Sequence, residues 1–415
     1  MISESATASV DHTSVDKILT ASGLTSSELG MLVQDEQGTI FALNSDQQFV
    51  PASLTKILTA GASLNMLHTN YAFKTELLTD GPFSDRVLKG ALYVKAGGDP
   101  SFHTTKLQRL LAEFAQQRAR RIEGDIIIDD SRFDDYKSDN WNTVKNMISS
   151  WKEHSSPLFV DVDPPEQYMP PLIRFWRRTE RRLRTIVVSP SNDLVVYKNM
   201  TEPDLWTGYK MIRLFQQSGI TVSGKVRRGT VPPDARVLAE VTSPLTEVVS
   251  SMMKSSDNYI AEMLTKNLAA EAQQKPVTIE AGLQFIRQFM DQAGIPSNTY
   301  ELTSAAGYSN QNLISPNALC KVLRFLKNDK AIFPTFYSSL PVAGIDGTLR
   351  HRMRKTAAQG RIAAKTGYLE GVVGLAGFVN RPDAKVLTFA FMYNGHKPAW
   401  IVKSTFDKIC VELVR

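Results

Sequence analysis

Ser53-Leu54-Thr55-Lys56 directly follows Pro51-Ala52 and opens a long apolar run, Ile57-Leu58-Thr59-Ala60-Gly61-Ala62-Ser63-Leu64. Apolar residues at Leu54, Ile57, Leu58, Ala60, Gly61, Leu64 and Leu67 recur nearly all round a helical wheel, which predicts a buried helix. Pro51 suits the first helical position, so Ser53 is expected in the first turn, where free backbone N–H groups favour developing negative charge. Lys56 lies one turn on, on the same face, within reach of the Ser53 hydroxyl. A lysine flanked by Ile57 and Leu58 is costly to keep charged, and a neutral amine beside a serine hydroxyl pairs a general base with a nucleophile.

Ser-x-x-Lys alone discriminates poorly. Ser149-Ser150-Trp151-Lys152 and Ser251-Met252-Met253-Lys254 fit it too, and the default for any one of them is a helix surface. Two further motifs lie far downstream. Ser256-Asp257-Asn258 falls within an amphipathic stretch from about Leu245 to Ala269, where a cap or turn is the plain alternative. Lys365-Thr366-Gly367 falls in the first of three β-rich runs, 361–368, 372–380 and 386–393, which read as an antiparallel meander. There the plain alternative is an edge-strand lysine that blocks aggregation.

In this order the three motifs match the active-site set of penicillin-binding proteins and class A β-lactamases. Gly97-Gly98-Asp99-Pro100-Ser101, Ser256-Asp257-Asn258-Tyr259-Ile260-Ala261-Glu262, Pro341-Val342-Ala343-Gly344-Ile345-Asp346-Gly347-Thr348-Leu349 and Lys365-Thr366-Gly367-Tyr368-Leu369-Glu370-Gly371 narrow the match. The chain resembles the class C low-molecular-mass penicillin-binding proteins, the D-alanyl-D-alanine carboxypeptidase/endopeptidase family, from about Ser27 to its end. The resemblance is weakest between about Tyr136 and Arg184. It implies an α+β fold: a transpeptidase domain of penicillin-binding/β-lactamase type, an antiparallel sheet flanked by helices, carrying inserted, mainly β, domains.

About 200 residues separate Lys56 from Ser256, too many for a compact hydrolase of this kind. We therefore expect a discontinuous catalytic domain, residues 1–70 and 240–415, with an insertion over 71–239 that subdivides near 135–185. Helices are expected near 279–293, 317–328 and 399–414.

The resemblance also implies roles. Ser53 would attack the carbonyl between two D-alanines and Lys56 would take its proton. Ser256 would relay a proton to the leaving amine, and Asn258 would hold Lys56 and the substrate amide. Lys365 would favour the terminal carboxylate, which Thr366 would hydrogen-bond, with Gly367 and Tyr368 continuing the substrate-binding strand. The N–H groups of Ser53 and Tyr368 would form the oxyanion hole. Asp129 is the candidate contact for a substrate amine, with a strand-end turn as its alternative. Peptidoglycan stem peptides would be the substrate and β-lactam antibiotics the inhibitors. Where the family usually carries an Asp-Gly-Ser-Gly-Leu-Ser-like run, this chain has Ser304-Ala305-Ala306-Gly307-Tyr308-Ser309, which leaves the shape of that side of the cleft open.

Composition sets the remaining bounds. A net charge of +6 suits an anionic polymer or surface without identifying one. No apolar run is long enough to span a bilayer. Cys320 and Cys410 both fall in apolar helical contexts and read as buried free thiols. No metal spacing and no phosphate-cradling loop appears, so neither metal nor cofactor is expected, nor a nucleic-acid partner. Arg174, Arg177, Arg178 and Arg181 share a helical face within Arg174–Arg184. That face offers a peripheral membrane contact, against the alternatives of a solvated face or an oligomer contact. The polar start, Met1-Ile2-Ser3-Glu4, is read as a mature chain, and the expected location is periplasmic or otherwise extracytoplasmic. Two other functions compete: a β-lactamase, for which no Glu-x-x-Leu-Asn-like segment is present, and a non-catalytic wall-binding scaffold, against which all three motifs argue.

Overall fold

The run Ile362–Leu369, Val372–Asn380 and Val386–Asn394 folds into three consecutive antiparallel strands, Lys365 opposite Ala376 and Ala376 opposite Ala390. The N-terminal hairpin completes the sheet. Leu29–Gln34 pairs with the last strand, Leu32 opposite Ala390, and then with Thr39–Leu43, so strands from both ends of the chain lie side by side. The two central C-terminal strands are buried at nearly every position, which requires cover on both faces. Helices supply it. Ala399–Val414, in contact with His12–Ser22, places Val402, Phe406, Ile409 and Leu413 in one apolar core with Val33, Leu375, Phe389 and Phe391. Pro316–Asn328, begun by a Ser315 side chain that accepts from the Ala318 N–H at 3.1 Å, touches the Leu29–Gln34 and Val386–Asn394 strands. Cys320 and Cys410 are buried free thiols, and burial pushes both well above the ordinary thiol range.

The computed structural model describes residues 12–133, 185–188, 194–197, 203–273 and 277–415. The arginine-rich segment Arg174–Arg184 and the rival Ser149–Lys152 motif lie outside the described residues. The chain forms two compact units. One gathers the segments up to Tyr71, Leu245–Leu268 and Glu280–Arg415; the other comprises Ala72–Pro244 and Ala269–Ile279. The second unit has its own core. A five-stranded sheet runs in the order 226–228, 126–129, 92–95, 72–79, 236–244, and a four-stranded sheet stands beside it in the same unit. Two helices, Thr104–Ala115 and Pro203–Gln217, pack Leu107, Phe114, Met211 and Phe215 against Leu77, Val94 and Ile126. Its Gly97-Gly98-Asp99-Pro100-Ser101 motif is structural: the buried Asp99 carboxylate receives Ser243 Oγ, Ser101 Oγ at 2.7 Å and Lys106 Nζ at 3.2 Å.

Three elements differ from expectation. Ser53 does not lie in an α-helix: Ala52–Thr55 is a 3₁₀ turn, and the α-helix is Lys56–Leu67. The stretch from Leu245 to Ala269 is broken into Leu245–Ser255 and Asn258–Gln273, because Ser256 takes a left-handed φ of 61°. A short helix, Phe333–Ser339, was not marked by periodicity and begins on Pro334 in its first turn.

Candidate active site

The 3₁₀ turn places Ser53 and Lys56 on one face, as three residues per turn demand. Ser53 stays half-exposed while Lys56 is fully buried. Lys56 Nζ lies 3.0 Å from Ser53 Oγ and donates to Asn258 Oδ1 and to the Ala306 carbonyl, each at 2.7 Å. The residue before the nucleophile, Ala52, is buried with a left-handed φ of 49°, an unfavourable state for a residue with a Cβ. Such strain persists only where neighbours over-determine it. The neighbours here are Gly307 and Gly367, whose backbones approach the 51–52 carbonyls so closely that neither could carry a side chain unmoved.

Ser256 and Asn258 sit at the break between two helices. Asp257 Oδ1 accepts from the Ile260 N–H at 3.0 Å and so caps the Asn258–Gln273 helix. The middle residue of the motif therefore does the work of a cap, while its flanks face the cleft. Asp257→Ala is expected to cost about 1 kcal/mol of stability in urea unfolding, the usual value of a lost cap. An unchanged midpoint would show the cap to be idle.

Lys365 is fully buried, and its Nζ donates to Ser256 Oγ at 2.8 Å and to the Thr366 carbonyl at 3.0 Å. Burial first, and then the charge of Lys56, hold its amine well below the usual lysine range. The strand that carries it is the edge of the sheet. Its outer edge is taken at the start: the Ala364 N–H donates to Pro341 O, and Ile362 O accepts from Ala343. Because strand backbones alternate, the N–H groups of Thr366 and Tyr368 face the same outer side as that of Ala364. Thr366 Oγ1 donates to Thr348 Oγ1 at 2.8 Å, and both threonines are open to solvent in part or whole.

The Ser304–Gly307 turn is the feature that residue types did not reveal. Thr59 Oγ1 donates to the Ala305 carbonyl at 2.7 Å, Ala306 offers its carbonyl to Lys56, and Asn312 Nδ2 bridges Thr55 Oγ1 and the Ser304 carbonyl. Ala305 and Ala306 are fully buried, so this wall acts through its backbone and tolerates alanine in place of small polar residues. Glu262, one turn after Asn258, stands behind the turn with its carboxyl 3.5 Å from Ser304 Oγ. Part of its surface is accessible, yet the carboxyl is packed in protein, and desolvation raises it to about 7 against the lowering influence of Lys56.

The rival lysine Lys254 is engaged elsewhere, donating to Asp346 Oδ2 and to Leu340 O, each at 2.6 Å. Asp129 belongs to the second unit. Its Oδ1 accepts from Ser131 Oγ at 2.6 Å and its Oδ2 from the Val231 N–H at 2.8 Å, the bonds of a strand-end turn. Among the described residues there is no group of three or more His, Cys, Asp or Glu placed to hold a metal.

The D-Ala-D-Ala carboxypeptidase 3 (S13) family model matches residues 12–161 and 180–409. A D-alanyl-D-alanine carboxypeptidase of Actinomadura sp. is 28% identical over 92% of this chain and 80% of its own. The D-alanyl-D-alanine carboxypeptidase DacB of Haemophilus influenzae is 26% identical over 88% of this chain and 83% of its own. The crystal structure of penicillin-binding protein 4 from H. influenzae has the same fold, with a TM-score of 0.76 at 22% identity, covering 96% of this chain and 98% of that one.

Proposed function

The chain belongs to the D-Ala-D-Ala carboxypeptidase 3 (S13) family, and from that premise we propose how its residues carry out serine-type D-Ala-D-Ala carboxypeptidase and endopeptidase chemistry on peptidoglycan stem peptides. The observation that carries the reading is the setting of Lys56. Asn258 Oδ1 and Ala306 O can only accept, so each claims an N–H. A neutral amine has two N–H bonds, and its lone pair is then left for the Ser53 hydroxyl at 3.0 Å.

Ser53 Oγ attacks the carbonyl carbon between the two D-alanines as its proton passes to Lys56. The new oxyanion meets the N–H groups of Ser53 and Tyr368, the second of which faces the open edge of its strand. The C–N bond then breaks as Lys56 passes that proton on through Ser256, which is hydrogen-bonded to Lys365, to the leaving amine. Lys365 and Thr366 hold the terminal carboxylate. Water then attacks the acyl carbonyl and loses a proton to Lys56, which passes it to Ser53 Oγ as the acyl–oxygen bond breaks. A β-lactam presents the same acyl and carboxylate groups and acylates the same serine, but its amine stays tethered. The substrate places the enzyme outside the cytoplasmic membrane, and among the described residues no helix is long and apolar enough to cross one.

Incubation with labelled penicillin, followed by intact-mass analysis and peptide mapping, tests this. One adduct on the peptide containing Ser53 is expected, with release of D-alanine from an acyl-D-Ala-D-Ala peptide in the uninhibited enzyme. An adduct elsewhere, or none, would sink the reading. D-Alanine release against cleavage of a crosslinked muropeptide then measures the balance between the two activities.

A further inference from the structure

We propose that Glu262 is a positioning residue for Lys56: it buttresses the turn that holds the lysine, and its charge decides how readily the lysine gives up a proton. The inference rests on the reading of Lys56 as the general base.

The placement comes from helix geometry. Asn258 and Glu262 are four residues apart in the Asn258–Gln273 helix and so share one face. Asn258 grips Lys56 directly, at 2.7 Å. Glu262 meets the Ser304–Ala306 turn from behind, through Ser304 Oγ at 3.5 Å, and that hydroxyl in turn accepts from the Ala306 N–H at 3.2 Å. The other side of the same turn presents Ala306 O to Lys56. One helix therefore holds the base twice, once by an amide and once through a turn that a carboxyl supports.

The electrostatics give this contact a direction. The charged groups facing Glu262 are Lys56, from its own helix, and Lys266, one turn further along the helix of Glu262 itself; the turn adds Ser304 Oγ and the Ala306 N–H. An ionised Glu262 favours the ammonium form of Lys56, and an ammonium has no lone pair for Ser53. The charge of Lys56 in turn helps to keep the neighbouring Lys365 amine neutral, since two neighbouring cations disfavour each other. The carboxylate of Glu262 thus restrains proton loss from Lys56. Glu262 titrates at about 7, so the restraint is weak below that value and grows above it.

The test is the rate of acylation by a chromogenic β-lactam, followed from mildly acidic to alkaline pH in wild type and Glu262→Gln. Glutamine keeps the shape and stays neutral, like the protonated acid. The two rates are expected to run together below about pH 7 and to part above it, where the ionised carboxylate holds back only the wild type. Glu262→Gln should then reach its plateau at a lower pH than wild type, as removal of an opposite charge requires. A purely structural role would lower the rate evenly at all pH, and parallel profiles would overturn the proposal. A wild type that forms no Ser53 adduct would instead remove the reading of the site on which this rests. Should Glu262→Gln not fold, the reciprocal measurement decides. The infrared carboxyl band of Glu262 should titrate at higher pH in Lys56→Met than in wild type, and an unmoved midpoint would overturn the coupling.

Discussion

Lys56→Met is expected to slow acylation of Ser53 by a β-lactam about 10²- to 10⁴-fold, the usual contribution of a positioned general base, while the chain still folds. The two halves of this expectation rest on different terms. Methionine matches the lysine in length and cannot take a proton, so Ser53 must lose its own to water. For stability, the substitution strips Asn258 Oδ1 and Ala306 O of their donor, which costs about 1–3 kcal/mol for each group left unpaired. Against that, folding no longer has to bury that amine, either by desolvating its charge or by stripping its proton, a relief of several kcal/mol. The terms are of similar size and opposite sign, so the unfolding midpoint should move little. Time-resolved intact mass gives the rate, and circular dichroism in urea gives the stability. Acylation within tenfold of wild type in a folded Lys56→Met chain would remove Lys56 as the base. A collapse of both quantities together would make it a structural residue first.

The parts of this site that could be read from sequence are those made by side chains. Ser53, Lys56, Ser256, Asn258 and Lys365 are few, polar and ordered, and the structure brings all five together in one unit. The C-terminal meander was equally legible, because its strands are β-branched or aromatic runs separated by turn residues. What stayed hidden is carried by backbone. The carbonyls of Ala305 and Ala306 hold Thr59 and Lys56, and an alanine gives no sign of where its carbonyl points. The same holds for the left-handed φ values at Ala52 and Ser256, one of which replaces the expected α-helical start by a 3₁₀ turn and the other of which splits one predicted helix in two. Glu262 was visible but mute. It closes the Ser256–Glu262 motif with no role attached, and only the fold shows that it stands behind the turn that holds Lys56.

Gly307→Ala is the sharpest test of that hidden backbone, and it is expected to cost about 2–5 kcal/mol and to slow acylation about 100-fold. Two penalties combine. Gly307 has a φ of +71°, where a Cβ costs about 1–2 kcal/mol. The added Cβ would also stand 1.9 Å from Ala52 O and 2.6 Å from Thr55 Oγ1. The first of these atoms is backbone and cannot rotate away, so the turn or the Ala52–Ser53 segment must shift, at the roughly 1–3 kcal/mol typical of overpacking. Either shift moves Ser53 relative to Lys56, and a displacement of about 1 Å at a reacting group costs on the order of 100-fold in rate. Gly294→Ala separates the two penalties. Gly294 lies in the same unit with a φ of +73° and nothing within 4 Å of its missing Cβ. It should therefore lose only the conformational part and keep its acylation rate. Urea unfolding and acylation measured on both variants give the comparison. Equal losses in the two would mean that the contact between Gly307 and Ala52 holds nothing in place. A larger loss at Gly307, in rate as well as stability, would mean that the nucleophile is positioned by a carbonyl-to-glycine contact that no side chain in the chain announces.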